Sequence, residues 1–343
     1  MRAGFRFLFI LFTLAFQLKA AVPAVCAEYS NGQLRLVINE SNGRFSLYSL
    51  ESDTPQALLA DKDPRTSFLS VIINDRSYKM GDSFTFKTRL DNSGPSLVFE
   101  SRFMKVTQDF YFIRNPSGAN GLQIIITLEN KSKRGVSAGA RYLLDTSLGE
   151  GSSWVPIITD HRRISGETLI TKYDNDSFWN DTDNKVYLFG SINSGSGGDP
   201  DSVHFANWKK LARVSWKAPY QSGRNFNDPP YSLRDTAVCY YFEPQNLDRG
   251  ERRTFFFTLA LNKDGVFAIP QTAPPVIPEI IPAYVDNQNT KESEAREQDL
   301  TTLRSLIGRI ETHLSDGTGS DGELNELESA VEELRAKYGL GSR

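Results

Sequence analysis

The sequence predicts an all-β protein: a large antiparallel β-sandwich, followed by a Pro-rich linker and a C-terminal α-helical hairpin or coiled coil. Between residues 33 and 262, short runs rich in Val, Ile, Phe, Tyr and Thr alternate with turn residues. No useful helical period occurs before about residue 290, and beyond it apolar residues recur at helical spacing. The chain of 343 residues is long enough for about two domains.

Composition excludes several functional classes. The 39 basic and 42 acidic side chains give a net charge of −3, which does not suit a general nucleic-acid binder. Two Cys exclude a disulfide framework and a Cys-based zinc cluster, and three scattered His do not predict a His-rich metal site. No apolar run reaches the roughly 18 residues of a membrane span, so we expect no transmembrane span in the mature chain. The motifs predict no cofactor other than a possible calcium ion.

The first 27 residues have the features of an export signal. Arg2 and Arg6 form a positive segment, and residues 7–16 form an apolar run of signal-peptide length. Residues 25–27 fit the small-x-small cleavage rule, which makes Glu28 the first mature residue. We therefore expect a bacterial periplasmic or cell-envelope protein. Lipidation at Cys26 stays open, although the preceding residue is Val rather than a small one.

Residues 28–265 form the predicted β-sandwich domain. The dipeptide Asn42-Gly43 is a strong hairpin signal, because both residues tolerate positive φ. Alternating apolar and polar residues predict strands with one buried face. Twelve strands are predicted, at residues 34–38, 44–50, 68–73, 83–90, 96–101, 107–113, 122–129, 138–144, 186–192, 212–217, 237–242 and 254–261.

A linker and a helical tail follow the β domain. Residues 266–290 are rich in Pro, which fixes φ and predicts an extended, semi-rigid segment. Residues 291–343 carry two apolar stripes of heptad spacing that need a partner, either each other or another chain. From residue 286 onward the sequence has 13 acidic and 7 basic residues, and this surplus of acidic side chains predicts a solvated acidic surface. The stripe residues we expect to make the contacts are Leu303, Ile307, Ile310, Leu327, Val331 and Leu334.

Two groups of residues are candidates for chemistry. The carboxylates of Glu150, Asp160 and Asp201, with His161 or His204, could form an acid–base group, although the sequence shows no positioned partner for either His. A polar loop offers alternating oxygen ligands of the kind calcium prefers, but lacks the Gly and terminal Glu of an EF-hand. Its carboxylates are Asp174, Asp176, Asp181 and Asp183.

The four Trp residues fall within about 60 residues of one another. Aromatic faces stack on ligands, and we expect Trp154 and Trp179 to lie in loops where, with Trp208, they could bind one. Trp216 falls on a predicted strand and is expected in the core. Cys239 lies in an apolar run and is predicted to be a buried small hydrophobe rather than a nucleophile.

Three stretches carry a family resemblance: residues 139–149 (GARYLLDTSLG), 200–208 (PDSVHFANW) and 235–251 (DTAVCYYFEPQNLDRGE). Together they resemble motifs of uncharacterised exported bacterial β-sandwich proteins, in which a G-x-R-x-x-x-D-T-x-x-G strand leads into an N-D-G-x-P-F loop. Here Glu150-Gly-Ser-Ser-Trp154 replaces that loop. The layout is also similar to galactose-mutarotase-like sandwiches, which implies carbohydrate binding or processing.

These motifs also have a structural interpretation. Asp145 and Asp235 each stand at a strand terminus, where a carboxylate can accept backbone amides and fix a loop. Arg141 could pair with one of them, so that the three residues brace loops at one rim of the sandwich.

Two hypotheses of function follow. The first is a non-catalytic envelope binding or scaffolding protein that recognises a glycan or a protein and uses its helical tail to form a homo-oligomer or to dock on a partner protein. The second is a carbohydrate-active enzyme of mutarotase, epimerase or glycan-processing type, with carboxylates and a His in a rim pocket.

Overall fold

Twenty β-strands and one short helix make up the described part of the computed structural model. The described residues are 26–60, 66–91, 94–115, 118, 120–148, 155–183, 185–195, 197–230, 232–262, 267 and 279–281. The strands form three sheets in which all pairs are antiparallel. The predicted all-β antiparallel class is therefore confirmed.

The largest sheet has nine strands. In spatial order they are β13 (Arg163–Ile164), β12 (Ile157–Thr159), β15 (Phe178–Thr182), β16 (Tyr187–Ser191), β19 (Arg252–Leu261), β10 (Asn120–Asn130), β9 (Met104–Arg114), β8 (Ser96–Glu100) and β7 (Lys87–Asp91).

The second sheet has six strands. In spatial order they are β14 (Thr168–Thr171), β17 (Ser202–Asn207), β18 (Thr236–Leu247), β11 (Val136–Asp145), β5 (Phe68–Ile73) and β6 (Arg76–Lys79).

A third sheet of five strands completes the fold. Its order is β20 (Glu279–Ile281), β1 (Cys26–Ser30), β2 (Leu34–Asn39), β3 (Phe45–Ser49) and β4 (Gln56–Ala57). Phe45 packs its ring 5.1 Å from that of Phe110 in the nine-stranded sheet and 6.2 Å from that of Tyr142 in the six-stranded sheet. The small sheet therefore closes the core that the two larger sheets share.

The core lies between the nine- and six-stranded sheets. Strand β10 alternates buried and half-buried residues along most of its length, as a strand with one core face should. Across the interface the rings of Tyr240 and Phe257 stack at 4.5 Å, and the Trp179 indole donates a 2.7 Å hydrogen bond to the Tyr240 hydroxyl. The sheets are thus joined by aromatic packing with its polar groups satisfied.

The Asn42-Gly43 hairpin is confirmed: β2 and β3 pair, and Gly43 has a φ of +70°. The predicted strand at 212–217 is wrong. Asn207 caps a short helix, α1 (Trp208–Ala212), by accepting a hydrogen bond from the Lys210 amide, and a turn follows it. Trp216 therefore lies in a turn, half-buried, with its ring 5.9 Å from that of Tyr241.

Part of the predicted linker belongs to the β domain. Phe267 is 4% exposed and packs near Phe189, and β20 pairs with β1. The domain therefore extends past residue 265, where we placed its end. Within the described ranges, no helix combines the length and apolar character needed to cross a bilayer. The predicted signal segment up to residue 25 and the six stripe residues of the helical tail lie outside the described residues.

Candidate functional site

A cap covers the outer face of the six-stranded sheet. We define it as residues 208–226, which comprise α1 and the chain that follows it. Leu211 and Ala218 of the cap pack on outward-facing residues of the sheet, among them Cys239 and Tyr241. Cys239 and Tyr241 are alternate residues of β18, and the residues between them face the core. The cap therefore creates a second, smaller apolar layer on the outer face of the sheet.

A charged cluster lies beneath this cap. His204 Nε2 is 3.0 Å from Glu167 Oε1, and Lys210 Nζ is 2.7 Å and 2.6 Å from the two Glu167 oxygens. The Gln221 amide adds a 2.8 Å hydrogen bond to Glu167 Oε1. His204 and Glu167 are 1% and 2% exposed, and the Lys210 side chain is 12% exposed. Four donor contacts therefore saturate one buried carboxylate.

Electrostatics fix the protonation of this cluster. Burial lowers the pKa of His204, although the hydrogen bond to Glu167 opposes that effect. Burial would raise the pKa of Glu167, but donors on Lys210, Gln221 and His204 outweigh it and hold the pKa below its usual value. At neutral pH a neutral His204 donates to an ionised Glu167, and the Lys210 ammonium balances the charge.

The backbone ties the cap to the same place. The Glu167 amide donates to the Arg224 carbonyl at 2.6 Å, and the Gly223 amide donates to the Glu167 carbonyl at 3.1 Å. The ring of Tyr220 lies edge-on to that of His204 at 5.9 Å. Residues 220–224 thus form a strap held over Glu167 and His204.

Arg141 braces the cap, but not through the carboxylates we expected. Its guanidinium donates to the carbonyls of Leu211 (2.5 Å) and Val214 (2.6 Å), and Nε lies 3.1 Å from Cys239 Sγ. The expected pair with Asp145 or Asp235 is not seen, because the Arg141 hydrogen bonds go to these carbonyls and to the Sγ atom. Asp145 also stands four residues along the strand, about 13 Å away. Cys239 is fully buried, as predicted.

The two carboxylates do stand at strand termini. Asp145 ends β11, where its amide donates to Ser67 Oγ at 2.9 Å. Asp235 directly precedes β18 and accepts a 2.6 Å hydrogen bond from Ser232 Oγ. Burial raises the pKa of Asp235, with the Ser232 hydrogen bond opposing. Asp235 therefore fixes the chain between the cap and β18.

The Trp residues do not form an exposed platform in the described region. Trp179 lies on β15 rather than in a loop and is fully buried, because the Tyr240 hydroxyl satisfies its indole N–H. Trp208 begins α1, is half-buried and donates a 3.0 Å hydrogen bond to the Thr66 carbonyl. Trp154 and Glu150 lie outside the described residues.

The remaining acid–base candidates do not converge on His204. His161 lies between β12 and β13 at one edge of the nine-stranded sheet, with a side chain 55% exposed and 3.8 Å from Asp160. His204 lies on the outer face of the other large sheet. Asp201 is held by the Lys172 ammonium at 2.9 Å and the Glu243 amide at 2.8 Å. Each carboxylate is thus engaged locally.

The four calcium candidates divide into two pairs that do not share one site. Arg162 lies between Asp174 (3.1 Å) and Asp176 (2.5 Å), where a cation would otherwise sit. Asp181 and Asp183 follow on β15 and just beyond it, and each has its own partners. Among the described residues no three His, Cys, Asp or Glu are placed to hold a metal ion.

Sequence reasoning missed Glu167 and Lys210. Glu167 is 37 residues from His204, and no motif links them. The one available signal was Asn207, whose cap places Lys210 in the first turn of α1. Glu167 directly precedes β14, and the pairing of β14 with β17 sets Leu169 opposite His204. This pairing brings Glu167 to the His204 ring.

No known protein family matches the sequence, and no curated protein does. Some solved structures are similar in backbone. A galactose mutarotase related enzyme from Lactobacillus acidophilus has a TM-score of 0.41 at 12% identity, covering 70% of this chain and 98% of that one. A galactose mutarotase-like protein from Lactobacillus casei scores 0.43 at 8% identity, with coverage of 69% and 100%.

A TPR-domain containing protein from Parabacteroides distasonis scores 0.46 at 10% identity, covering 73% of this chain and 50% of that one. The solved neighbours thus include galactose mutarotase-like proteins, in keeping with the loose resemblance of layout noted from the sequence. At TM-scores below 0.5 they support no argument about what this chain does. The motif resemblance to exported sandwich proteins stays a prediction.

Proposed function

We propose that this protein is an exported, non-catalytic binding or scaffolding protein of the bacterial cell envelope. Its β domain recognises an envelope component, a glycan or a protein, and its helical tail mediates oligomerisation or docking. The export signal and the heptad stripes of the sequence motivate the location and the role of the tail.

The state of Glu167 and His204 is the observation that carries the non-catalytic part of this proposal. A general acid or base must reach the substrate atom to which it transfers a proton. Here both groups are at most 2% exposed, and the Glu167 oxygens are saturated by Lys210, Gln221 and His204. The cluster therefore fastens the strap to the sheet instead of presenting a reactive face.

The same contact supports a second candidate, a carbohydrate-active enzyme. A His and a carboxylate 3.0 Å apart, with an ammonium beside them, are groups that can transfer protons in general acid–base catalysis. For such an enzyme to work, the strap at 220–224 would have to lift and admit a substrate.

A mutarotation assay separates the two candidates. We expect the full-length protein to leave the rate of α-D-galactose and α-D-glucose mutarotation, followed by polarimetry, at its value in buffer. We expect Glu167→Gln to lower the free energy of unfolding by about 2–4 kcal/mol, because Lys210 loses its buried partner. Since the pKa of Glu167 is lowered, this contribution is present above the usual pKa of 4.5 and lost as the pH falls through the folded pKa.

Glu243→Gln is the matched control, because Glu243 pairs with Lys217 on the surface, where both side chains are more than a third exposed. We expect it to change the free energy of unfolding by less than about 1 kcal/mol. Accelerated mutarotation that disappears in Glu167→Gln and survives in Glu243→Gln would establish the enzyme and refute the proposal.

A further inference from the structure

A groove runs between the free edges of the two large sheets. Strand β6 is the last strand of the six-stranded sheet and β7 the last of the nine-stranded sheet. Two adjoining hollows of about 520 and 800 Å³ lie there and share Arg76, Tyr78 and Phe103 as walls. The turns β5–β6, β8–β9 and β10–β11, strand β7 and the segment that precedes β7 supply the rest of the wall.

Six exposed basic residues line this basic groove: Arg76, Lys87, Arg89, Arg102, Lys133 and Arg134. Among the described lining residues Glu100 is the only acid. None of the six cations forms an ion pair with a described residue, whereas Lys79 and Arg44 nearby are both paired with Asp82. The groove thus concentrates uncompensated positive charge on a chain whose net charge is negative.

Aromatic rings form the floor of the groove. Tyr78 and Phe103 are half-buried with their rings 6.0 Å apart, and Phe86 packs edge-on beneath both. The Arg76 guanidinium lies 5.4 Å above the Tyr78 ring. Phe84 stands fully exposed at the rim. An exposed Phe among unpaired cations stabilises nothing in the fold, because its ring makes no buried contact.

Protection of sheet edges accounts for only part of this charge. Natural proteins place Lys and Arg on edge strands to prevent edge-to-edge pairing. That explains Arg76 on β6 and Lys87 and Arg89 on β7. Arg102, Lys133 and Arg134 lie in turns, which have no edge to protect.

We propose that the basic groove binds an anionic polysaccharide, with its carboxylate or sulfate groups on the six cations and its sugar faces on Tyr78, Phe103 and Phe84. This inference rests on the proposed binding function and names the surface and ligand class. Guanidinium groups bind such anions through paired hydrogen bonds, and aromatic rings stack on the apolar faces of sugars. A recessed aromatic floor suits a chain that enters the groove better than a flat membrane surface.

The test measures binding of an oligogalacturonate of defined length to the full-length exported protein by calorimetry. A malto-oligosaccharide of equal length is the neutral probe. We expect only the anionic probe to bind, with an affinity that falls as ionic strength rises. We expect Arg102→Glu with Lys133→Glu to weaken binding about tenfold or more, because like charge then faces the ligand. We expect Phe84→Ala to weaken it about fivefold.

The matched control is Arg163→Glu with Lys185→Glu, which makes the same change of charge. Arg163 lies on β13 and Lys185 between β15 and β16, in the half of the nine-stranded sheet opposite to β7. We expect this control to keep its affinity within about twofold, because distant exposed charges are screened. The groove variants should keep the thermal midpoint of the parent, since the substituted side chains are exposed and unpaired.

Three results would overturn the proposal: no binding of oligogalacturonate, equal weakening in groove and control variants, or binding to phosphatidylglycerol vesicles without binding to oligogalacturonate. The last result would assign the groove to a lipid surface. Each leaves the proposed binding function standing, because a different experiment tests that function. It would be refuted by accelerated mutarotation in the parent protein that is lost in Glu167→Gln.

Discussion

At the scale of the residue, two carboxylates two positions apart lie in opposite environments. Asp181 is 2% exposed, and burial raises its pKa to about 7, although hydrogen bonds from Thr146 and the Thr182 amide oppose the effect. Burial would also raise the pKa of Asp183, but donors on Val186, Lys185 and Gln56 outweigh it and hold the pKa below the usual value. Burial and the surrounding hydrogen-bond donors, not the residue type, therefore decide whether each carboxyl group favours its protonated or its ionised form.

This difference predicts opposite effects of pH. The folded state binds a proton at Asp181 that the unfolded state releases, so the free energy of unfolding falls as pH rises from about 4 to about 7, by up to about 4 kcal/mol. We expect Asp181→Asn to remove this slope and to exceed the parent in stability at pH 8, measured by urea unfolding. An unchanged slope would contradict the assignment.

Asp183→Asn is the control two residues away. Its carboxylate is stabilised as the anion, so its contribution is present above the usual pKa of 3.8 and lost as the pH falls through the folded pKa. We expect Asp183→Asn to lower stability at pH 8, in the direction opposite to Asp181→Asn.

At the scale of the element, the position of β15 depends on one glycine in its neighbour. Trp179 pairs with Gly190 of β16, and a Cβ at Gly190 would overlap the indole ring. The indole lies over the bare backbone and reaches the Tyr240 hydroxyl of the opposite sheet. A large ring in the core thus requires the absence of a side chain next to it.

We expect Gly190→Ala to lower the free energy of unfolding by about 1–3 kcal/mol, because the Trp179 indole must leave its site. Gly197→Ala is the control, since a Cβ there meets nothing within 4 Å. Urea unfolding monitored by Trp fluorescence measures both. Equal stability of the two variants would show that the indole can shift without cost.

At the scale of the whole molecule, the two ends of the β domain meet. The register of β1 and β20 pairs Glu28 with Ile281, Tyr29 with Ile280 and Ser30 with Glu279. Cleavage after Ala27, as the sequence predicts, would leave all three pairs intact. The predicted start of the mature chain and residues 279–281 of the predicted linker thus lie side by side in one sheet.

We therefore expect a chain of residues 28–265 to be less stable than one of residues 28–283. The shorter chain lacks Phe267, whose burial is worth about 1.5–3 kcal/mol, and the three β20 pairs. Thermal unfolding measures the difference, and equal midpoints would contradict it.

Light scattering of residues 28–343 against residues 28–283 tests the proposed role of the helical tail. A larger assembly formed by the longer chain alone would support a role of the tail in oligomerisation.

Sequence patterning predicted the strands that bury a continuous apolar face. Eleven of the twelve predicted strands overlap strands of the structure, because alternation is a local property that the sheet preserves. Nine strands of two to six residues were missed: β1, β4, β6, β12–β15, β17 and β20. Most are too short to show an alternating pattern, and pairing with neighbours distant in sequence holds them extended. The strand predicted at 212–217 is wrong because the helix capped by Asn207 runs to Ala212 and a turn follows it.

The sequence by itself determined the fold class, the Asn42-Gly43 turn, the buried character of Cys239 and the strand-terminal positions of Asp145 and Asp235. Only the tertiary structure decided which chemical groups meet. It placed His204 and Lys210 within hydrogen-bond distance of Glu167, and it buried Trp179. It also placed the Arg141 guanidinium on backbone carbonyls and six cations in one groove between two sheet edges. The physical reason is that strand periodicity is set by neighbours along the chain, whereas burial and charge balance are set by residues distant in sequence.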